Sequence, residues 1–319
     1  MSKKTLDVLC IGLMCCDIIA KPLGKDIFDI DTHRLDTLKI TSGGDALNAA
    51  VNMTKLGLKV ALIGRTGKDM MGDFICTEAA RFGVDIKYIK KSENTSTSTS
   101  IVLVEENGER HFAAHGSSNA TLVPDDIDDN ALKTSRIVHL GSSMALPGLD
   151  GKALADIFQK AKTAGAVTSM DATWDSSGKW LSRIDDALYH TDYFMPSILE
   201  AKQITGLLKT GDIAEFFRKY NLKTLVIKLG EEGCFVTNYQ ESFTIPAFRN
   251  VTAVDTTGAG DAFVSGFLTG IIRGLSLYDS AQAGNAVAAL SVTQAGATTG
   301  VRDWNETMTF IESELGSGN

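Results

Sequence analysis

The sequence predicts an α/β protein with a mostly parallel sheet and helices on both faces. Short runs of β-branched and apolar residues alternate along the chain with longer stretches of helical periodicity. Strands that alternate with helices imply crossover connections, and hence a parallel sheet that is covered on both sides. The chain has 319 residues, of which 44% are hydrophobic and 22% charged, so it can bury one large core. We therefore expect a single domain over residues 1–319.

The individual elements follow from the same patterns. The runs that predict buried strands are residues 6–11, 60–63, 137–140, 166–171, 193–195 and 224–228. The helical patterns between them include residues 46–56, 151–164 and 212–220. In sheets of this kind ligands bind beyond the carboxyl ends of the strands, so we expect functional side chains at that edge.

Two stretches interrupt the alternation. Residues 18–41 are turn-rich and contain Pro22 and many aspartates. Residues 97–114 predict a hairpin, because two strand-like runs flank the sequence Asn107-Gly108, a strong hairpin signal. The Thr/Ser-rich residues 95–100 run into β-branched residues, so we expect them to begin a strand rather than to form a flexible linker. Both stretches are expected to be insertions in the main domain.

Composition excludes several classes of partner. A net charge of −8, with no basic run, argues against binding to nucleic acid or to an anionic membrane. No segment reaches the roughly eighteen apolar residues that span a bilayer, and the N-terminus lacks the apolar stretch of a signal peptide. The five cysteines lack zinc-type spacing and are expected to be buried thiols in a reducing compartment. We therefore expect a cytoplasmic protein.

Residues 255–263, Asp-Thr-Thr-Gly-Ala-Gly-Asp-Ala-Phe, are the most informative stretch of the chain. A helical pattern begins there, and a helix N-terminus presents unpaired N–H groups and the positive end of its dipole to anions. Gly258 and Gly260 allow a sharp turn and close approach of a ligand, and Asp261 adds a carboxylate beside that anion site. This combination is typical of phosphoryl transfer, in which a carboxylate accepts a hydroxyl proton. The alternative is a capped helix after a glycine turn.

This stretch resembles the C-terminal signature of the ribokinase-like (PfkB-type) carbohydrate kinases. Residues 42–57, which begin Ser-Gly-Gly-Asp-Ala-Leu-Asn, resemble the N-terminal sugar-binding segment of the same family. The two motifs occur in the family's order, and two motifs are stronger evidence than one. The resemblance implies a ribokinase-like fold and an enzyme that transfers the γ-phosphate of ATP to a sugar with the help of Mg²⁺. It also implies that the insertions at 18–41 and 97–114 form a small β lid over the sugar, which often provides a dimer contact.

The resemblance further assigns roles in catalysis and sugar binding. Asp261 is expected to be the catalytic base, and the phosphoryl group is expected to be held by the N–H groups of Gly258, Ala259 and Gly260. The residues expected to bind the sugar are Asp17, Gly43, Gly44, Asn48 and, in the lid, Arg110. Asp17 is expected at the end of the first strand. Sugars suit such a site because their hydroxyls need acceptors and donors that are fixed on rigid backbone.

Another group of residues matches the family's nucleotide and metal sites. Lys228 and Gly230, in Lys-Leu-Gly-Glu-Glu-Gly, are expected to contact the ATP phosphates, and Asn285 is expected near the adenine. Glu200 ends the segment Met-Pro-Ser-Ile-Leu-Glu, where the family commonly has Asn-Pro-Asn-x-x-Glu, and is expected to organise Mg²⁺ through its waters. Ser197 replaces the second asparagine of that motif. We expect it either to contact a phosphate or to cap the helix.

Asp255 and Thr257 match a loop that in many family members binds a monovalent cation, often K⁺. Stabilisation of the turn by the same side chains is the alternative.

The substrate is less determined than the chemistry. Asp175 stands where several sugar-acid and fructose kinases carry the arginine of Asp-x-Asn-x-Arg, so we expect a neutral pentose, hexose or related ketose. A nucleoside is the second choice, since the family includes nucleoside kinases. Trp174 is expected to be a half-buried core residue rather than a stacking surface. A non-catalytic sugar- or nucleotide-binding regulator on the same fold remains a further alternative, although it would not need an intact Asp261.

Overall fold

A computed structural model describes residues 3–106 and 109–316 of the chain, apart from the side chains of residues 25, 26 and 110. The described strands are β1 Leu6–Gly12, β2 Cys15–Lys21, β3 Thr37–Gly43, β4 Val60–Ile63, β5 Arg65–Gly67, β6 Lys90–Ser92, β7 Thr99–Val104, β8 Arg110–His115, β9 Ser135–Ser143, β10 Val167–Ala172, β11 Tyr193–Phe194, β12 Thr224–Lys228, β13 Cys234–Thr237 and β14 Ser242–Ile245. The described α-helices are α1 Asp45–Lys55, α2 Met70–Arg81, α3 Asp129–Thr134, α4 Lys152–Thr163, α5 Leu181–Leu188, α6 Ile198–Thr205, α7 Thr210–Phe217, α8 Ala259–Arg273, α9 Leu277–Ser291 and α10 Trp304–Gly316.

Eight strands form the main sheet, in the order β14-β13-β12-β11-β10-β9-β1-β4. The six strands from β12 to β4 pair in parallel, and β13 and β14 add an antiparallel edge. All six runs that the sequence predicts as strands lie in this sheet, and the predicted mostly parallel α/β class is confirmed. The hydrophobic pattern succeeded because parallel strands are buried on both faces and stand out as continuous apolar runs.

Helices cover both faces of the main sheet. On β1, Leu9 and Ile11 belong to a core that includes α4, α5 and α7, whereas Val8 and Cys10 pack with α1, α8 and α9. Successive side chains of a strand point to opposite faces, so one strand contributes to both cores. The sheet therefore holds its carboxyl edge rigidly between two packed layers.

A separate four-stranded sheet, here called the small sheet, has the order β3-β2-β7-β8. β7 and β8 pair antiparallel, as the sequence predicts for a hairpin, and the turn at Asn107-Gly108 lies outside the described residues. β7 begins at Thr99, and Thr97 and Ser98 before it are buried and hydrogen-bonded, so this stretch is not a loose linker. The other two strands include or flank residues 18–41.

Asp17 does not end the first strand: β1 stops at Gly12, and Asp17 lies within β2 of the small sheet. The sequence missed this because the turn between β1 and β2 lacks a marked break in hydrophobicity. The five cysteines are free thiols, and all except the half-buried Cys15 are buried. Within the described residues, no helix is long and apolar enough to cross a bilayer.

Candidate active site

A cavity of about 980 Å³ opens at the carboxyl edge of the main sheet. Its walls come from the ends of β10 and β12, the start of α1, the N-terminus of α8 and one side of α9. The predicted site residues that line it are Ser197, Glu200, Lys228, Gly230, Gly258, Ala259, Gly260, Asp261 and Asn285. The fold thus brings together side chains from the middle and the end of the sequence.

The N-terminus of α8 presents to the cavity two N–H groups that are unpaired within the described part of the chain. Gly258 has φ 73°, and a Cβ there would lie 2.5 Å from Cβ of Ala297, so the turn requires glycine. The N–H groups of Gly258 and Gly260 have no hydrogen-bond acceptor among the described residues, whereas Ala259 donates its N–H to Thr256 O at 3.2 Å. The sequence predicts three N–H groups for the phosphoryl group, but the turn itself occupies that of Ala259.

Asp261 is a buried carboxylate in the first turn of α8. Its Oδ2 accepts a hydrogen bond of 2.8 Å from Nδ2 of Asn48 on α1. Burial and the neighbouring carboxylate of Asp45 raise the pKa of Asp261 well above its usual value, against the opposing effects of Asn48 and Lys228. A base needs a pKa near the working pH, so this environment suits proton abstraction.

Lys228 lies beside this helix N-terminus. Its Nζ is 2.7 Å from both carboxyl oxygens of Asp171, and a Cβ on Gly260 would lie only 3.3 Å from that nitrogen. Burial alone would lower the pKa of Lys228, but the carboxylates of Asp171 and Glu200 more than offset this and raise it. The ammonium therefore stays charged and lies beside the turn before α8.

Asp45, the first residue of α1, adds another carboxylate to the cavity. Its Oδ2 accepts a 2.6 Å hydrogen bond from Oγ of Ser142, a buried residue with φ 69° at the end of β9. Such a backbone conformation is costly for a residue with a side chain and marks a position where the surroundings fix the geometry. The serine hydroxyl therefore holds Asp45 in one orientation.

Ser197 and Glu200 form a capping box at the start of α6. Glu200 N–H donates to Oγ of Ser197 at 3.3 Å, and Ser197 N–H donates to Oε2 of Glu200 at 2.7 Å. The predicted helix-capping role of Ser197 is confirmed. Glu200 uses one oxygen for the cap and lines the cavity, so its other oxygen is the one available to a metal-bound water.

The opposite end of the cavity is more apolar. Phe248, Val292 and the alanines at 288 and 289 line it together with Asn285. The buried Asn285 donates its amide N–H groups to the carbonyl oxygens of Ile245 and Pro246, at 3.2 and 3.1 Å. Its observed contacts hold the chain after β14 in place. A flat apolar ring system would fit this end.

The residues expected to bind sugar lie at the junction of α1 and the small sheet. A Cβ on Gly43 would overlap Oδ2 of Asp17, and Gly44 has φ 96° with a Cβ position 2.6 Å from Leu13 O. Position 44 therefore requires glycine, and a side chain at position 43 would displace the carboxylate of Asp17. Burial raises the pKa of Asp17, although hydrogen bonds from Cys15 and Ser100 oppose the shift. These three residues adjoin α1 without lining the main cavity, and the Arg110 side chain lies outside the described residues.

Asp255 and Thr257 are engaged in a turn. Oδ1 of Asp255 accepts from N–H and Oγ1 of Thr257, at 3.0 and 2.7 Å, and its Oδ2 accepts from Gly296 N–H at 2.9 Å. These bonds match the turn-stabilising alternative and connect the turn before α8 to the loop after α9.

Several residues that line the cavity receive no role from the sequence, among them Asp45, Asp171 and Arg249. Asp45 lies inside the Gly-Gly segment, and Asp171 ends a predicted strand, so both occupied positions at which function could be expected. The sequence could not reveal that Asp45 accepts a hydrogen bond from Ser142 or that Asp171 pairs with Lys228. Trp174 also differs from expectation: 57% of it is exposed, and it meets Trp180 edge-on with ring centroids 4.9 Å apart.

Comparison with known proteins identifies the family. The profile described as "pfkB family carbohydrate kinase" matches residues 5–304. The chain is 27% identical to a 2-dehydro-3-deoxygluconokinase of Bacillus subtilis, over 88% of this chain and 90% of that protein. It is 26% identical to a ribokinase of Staphylococcus aureus, over 83% of this chain and 86% of the relative.

Solved structures agree on the fold. A candidate ribokinase II of Escherichia coli, in complex with ATP and Mg²⁺, superimposes with a TM-score of 0.84 at 24% identity, covering 97% of this chain and 99% of that one. The ribokinase-like fold is therefore confirmed. Together with the profile match over nearly the whole chain, these similarities show that the chain belongs to the pfkB family of carbohydrate kinases, the ATP-dependent enzymes that phosphorylate sugars.

Proposed function

We propose that this enzyme transfers the γ-phosphate of ATP to a hydroxyl group of a neutral pentose, hexose or related ketose. The observation that carries the proposal is the position of Asp261. It is a buried carboxylate with a raised pKa, one residue after the free N–H of Gly260 and close to the ammonium of Lys228. A base and an anion site in contact are what hydroxyl phosphorylation requires.

In the proposed reaction Asp261 accepts the proton of the sugar hydroxyl as its oxygen attacks the γ-phosphorus. The bond to the bridging oxygen of ADP breaks, and ADP leaves with that electron pair. The N–H groups of Gly258 and Gly260, with Lys228, stabilise the negative charge on the transferred phosphoryl oxygens. Asn48 keeps the carboxylate of Asp261 oriented through its 2.8 Å hydrogen bond.

The cavity also fits ATP and Mg²⁺. The apolar end around Phe248 and Val292 suits the adenine, while the N-terminus of α8 suits the phosphates. Glu200 offers a carboxylate oxygen, the ligand type that Mg²⁺ prefers, directly or through water. Mg²⁺, when bound, would neutralise charge on the phosphates. We propose that K⁺ binds at the turn that contains Asp255 and Thr257. Turnover measured in K⁺ and in Na⁺ tests this proposal.

A neutral acceptor is favoured by the environment of Asp175. Its buried carboxylate is engaged within the protein: it accepts hydrogen bonds from Trp180 N–H at 2.7 Å and from the Arg183 guanidinium at 2.9 Å. The position at which related kinases carry a substrate-binding arginine is thus used to fasten the loop after β10. The second candidate, a nucleoside, is favoured by the exposed Trp174 next to the cavity residue Thr173, since a base could stack on it.

We also propose a homodimer through the small sheet. Leu38, Ile40 and Ile101 share one face of it, because Ile18 pairs with both Ile40 and Ile101 and Leu38 is two residues from Ile40. These three side chains are 67%, 46% and 44% exposed. A contiguous exposed apolar patch is typical of an interface, and a second copy would cover it.

The test is an ADP-release assay with Mg²⁺, ATP and K⁺ against neutral sugars, sugar acids, sugar phosphates and nucleosides. The panel includes D-ribose, D-fructose, 2-dehydro-3-deoxy-D-gluconate, D-fructose 6-phosphate and adenosine. We expect turnover of a neutral sugar and a loss of about 10²- to 10⁴-fold in kcat for Asp261→Asn, the usual contribution of a general base. Asp212→Asn is the matched control, because Asp212 also follows a glycine as third residue of a helix but is exposed.

Two results would contradict the proposal. A silent panel would reject the kinase reaction on these acceptor classes and favour a binding protein. Near-normal turnover in Asp261→Asn would remove Asp261 from the role of base.

A further inference from the structure

Building on the proposed kinase reaction, we propose that Asp45 selects the acceptor. Its carboxylate accepts a hydroxyl hydrogen of a neutral acceptor and repels acceptors that carry a carboxylate or a phosphate. The cavity brings Asp45 and Asp261 together at the end where the acceptor hydroxyl must lie, next to the N-terminus of α8.

The geometry of Asp45 leaves an acceptor atom free. Ser142 is its only hydrogen-bond partner within residues 3–106 and 109–316, and it occupies Oδ2 at 2.6 Å. Oδ1 therefore has no donor from the described residues. The positive φ of Ser142 fixes the position of its hydroxyl, which holds Oδ2 of Asp45. The glycine that is required at position 44 fixes the backbone immediately before Asp45.

The charges around this position oppose an anion. Of the described residues that line the cavity, six are acidic and two are basic, the basic ones being Lys228 and Arg249. Lys228 is already paired through both oxygens of Asp171, and Arg249 follows β14 beside Phe248, at the apolar end. An anionic group near Asp45 and Asp261 would face two carboxylates, while Lys228 would already be engaged by Asp171 and, in the proposed reaction, by the transferred phosphoryl group.

Asp45 also affects the base. The charged and polar groups that face Asp261 are Asp45 on α1, Asp171 on β10, Lys228 on β12 and the amide of Asn48. The negative charge of Asp45 raises the pKa of Asp261, so its removal lowers that pKa. Since Asp261 must be deprotonated to act, activity then persists to lower pH.

The experiment measures kcat/KM for Asp45→Asn and the wild type on the panel above. We expect the wild type to prefer its best neutral acceptor over the sugar acid and the sugar phosphate by at least about 100-fold. Asp45→Asn should reduce that preference at least about tenfold, chiefly through a loss on the neutral acceptor, and should move the acidic limb of the pH profile to lower pH. Asp279→Asn is the matched control: it too is a first-turn aspartate that accepts a serine hydroxyl at 2.6 Å, but it lies outside the cavity lining.

The possible results separate the two proposals. An active enzyme whose preference and pH profile are unchanged in Asp45→Asn would overturn the role of Asp45 alone. A wild type that prefers an anionic acceptor would overturn it as well, and would point to Arg110 as the missing cation. A silent panel would reject the proposed function and this inference with it. Thermal unfolding of each variant shows whether a loss of activity reflects a loss of fold.

Discussion

Lys228 and Asp171 form the most enclosed ion pair of the candidate site. Their side chains are 13% and 6% exposed, and Nζ lies 2.7 Å from both carboxyl oxygens. Taking two charges out of water is expensive, so such a pair is retained at a cost to stability where its geometry is needed. Here the geometry keeps an ammonium at the turn before α8, which makes Asp171 a positioning residue for Lys228 in our proposal.

We predict that this pair behaves as a unit. Lys228→Met leaves a buried carboxylate unpaired and should lower the free energy of unfolding by about 3–5 kcal/mol. Lys228→Met/Asp171→Asn removes both charges and should recover more than half of that loss. Urea unfolding monitored by circular dichroism measures these values, with Lys152→Met as a control, because the exposed Lys152–Asp156 pair should contribute less than about 1 kcal/mol. If the double variant is as unstable as the sum of the two single variants, the pair is not coupled.

The sequence predicts functional residues that lie within one motif, but it does not predict contacts between residues that are far apart in the chain. Asp261 and its glycines are contiguous, so the chemistry of the motif is readable directly. Lys228 and Asp171 are 57 residues apart, and Asn48 and Asp261 are 213 apart. Which carboxylate meets which donor depends on strand order and on helix packing, and neither is encoded by local composition. For the same reason the sequence, which predicts Asn48 as a sugar ligand, does not reveal that its Nδ2 donates a hydrogen bond to Asp261.

At the scale of elements, α8 and α9 are in close contact. Gly266 and Gly270 are four residues apart and therefore lie on one side of α8. A Cβ on Gly266 would lie 2.6 Å from Ala283 O, and one on Gly270 would lie 2.8 Å from Ser280 atoms, so the contact depends on both glycines. Because α9 also carries Asn285, this contact positions both ends of the cavity relative to each other.

We predict that Gly266→Ala destabilises the enzyme by about 1–3 kcal/mol, because the obstructing atom is backbone and cannot move aside. Gly211→Ala is the control, since that helical glycine has nothing within 4 Å of its Cβ position and should be neutral or slightly stabilising. Chemical unfolding of both variants provides the comparison. Equal stability of the two would show that α8 and α9 can separate at little cost.

At the scale of the whole molecule, the candidate active site lies at the edge of the main sheet, whereas the small sheet exposes an apolar face. The sequence predicts the hairpin of β7 and β8 from turn chemistry, but the pairing of β2 with β7 joins segments about eighty residues apart and required the structure. The exposure of Ile40 and Ile101 also depends on the tertiary structure, because an alternating strand pattern does not indicate which face of the sheet is exposed.

For the homodimer we predict that Ile40→Lys shifts the enzyme toward the monomer, because an ammonium group would be buried in the interface. Light scattering coupled to size-exclusion chromatography measures the mass. Leu208→Lys, at an exposed apolar position outside the small sheet, should leave the mass unchanged. A wild-type protein that is monomeric at high concentration would contradict the proposed interface.

The hydrogen bond between Asn48 and Asp261 has a consequence for synthesis on the ribosome. The two partners are separated by 213 positions, and α8 must dock onto α1 before the bond can form. A nascent chain that ends before residue 258 contains the Gly-Gly segment but neither the base nor the N-terminus of α8. Under our proposal, no nascent chain that ends before α8 can consume ATP. Catalytic competence begins only once α8 meets a helix that was made about 10 to 40 seconds earlier, at a synthesis rate of about 5–20 residues per second.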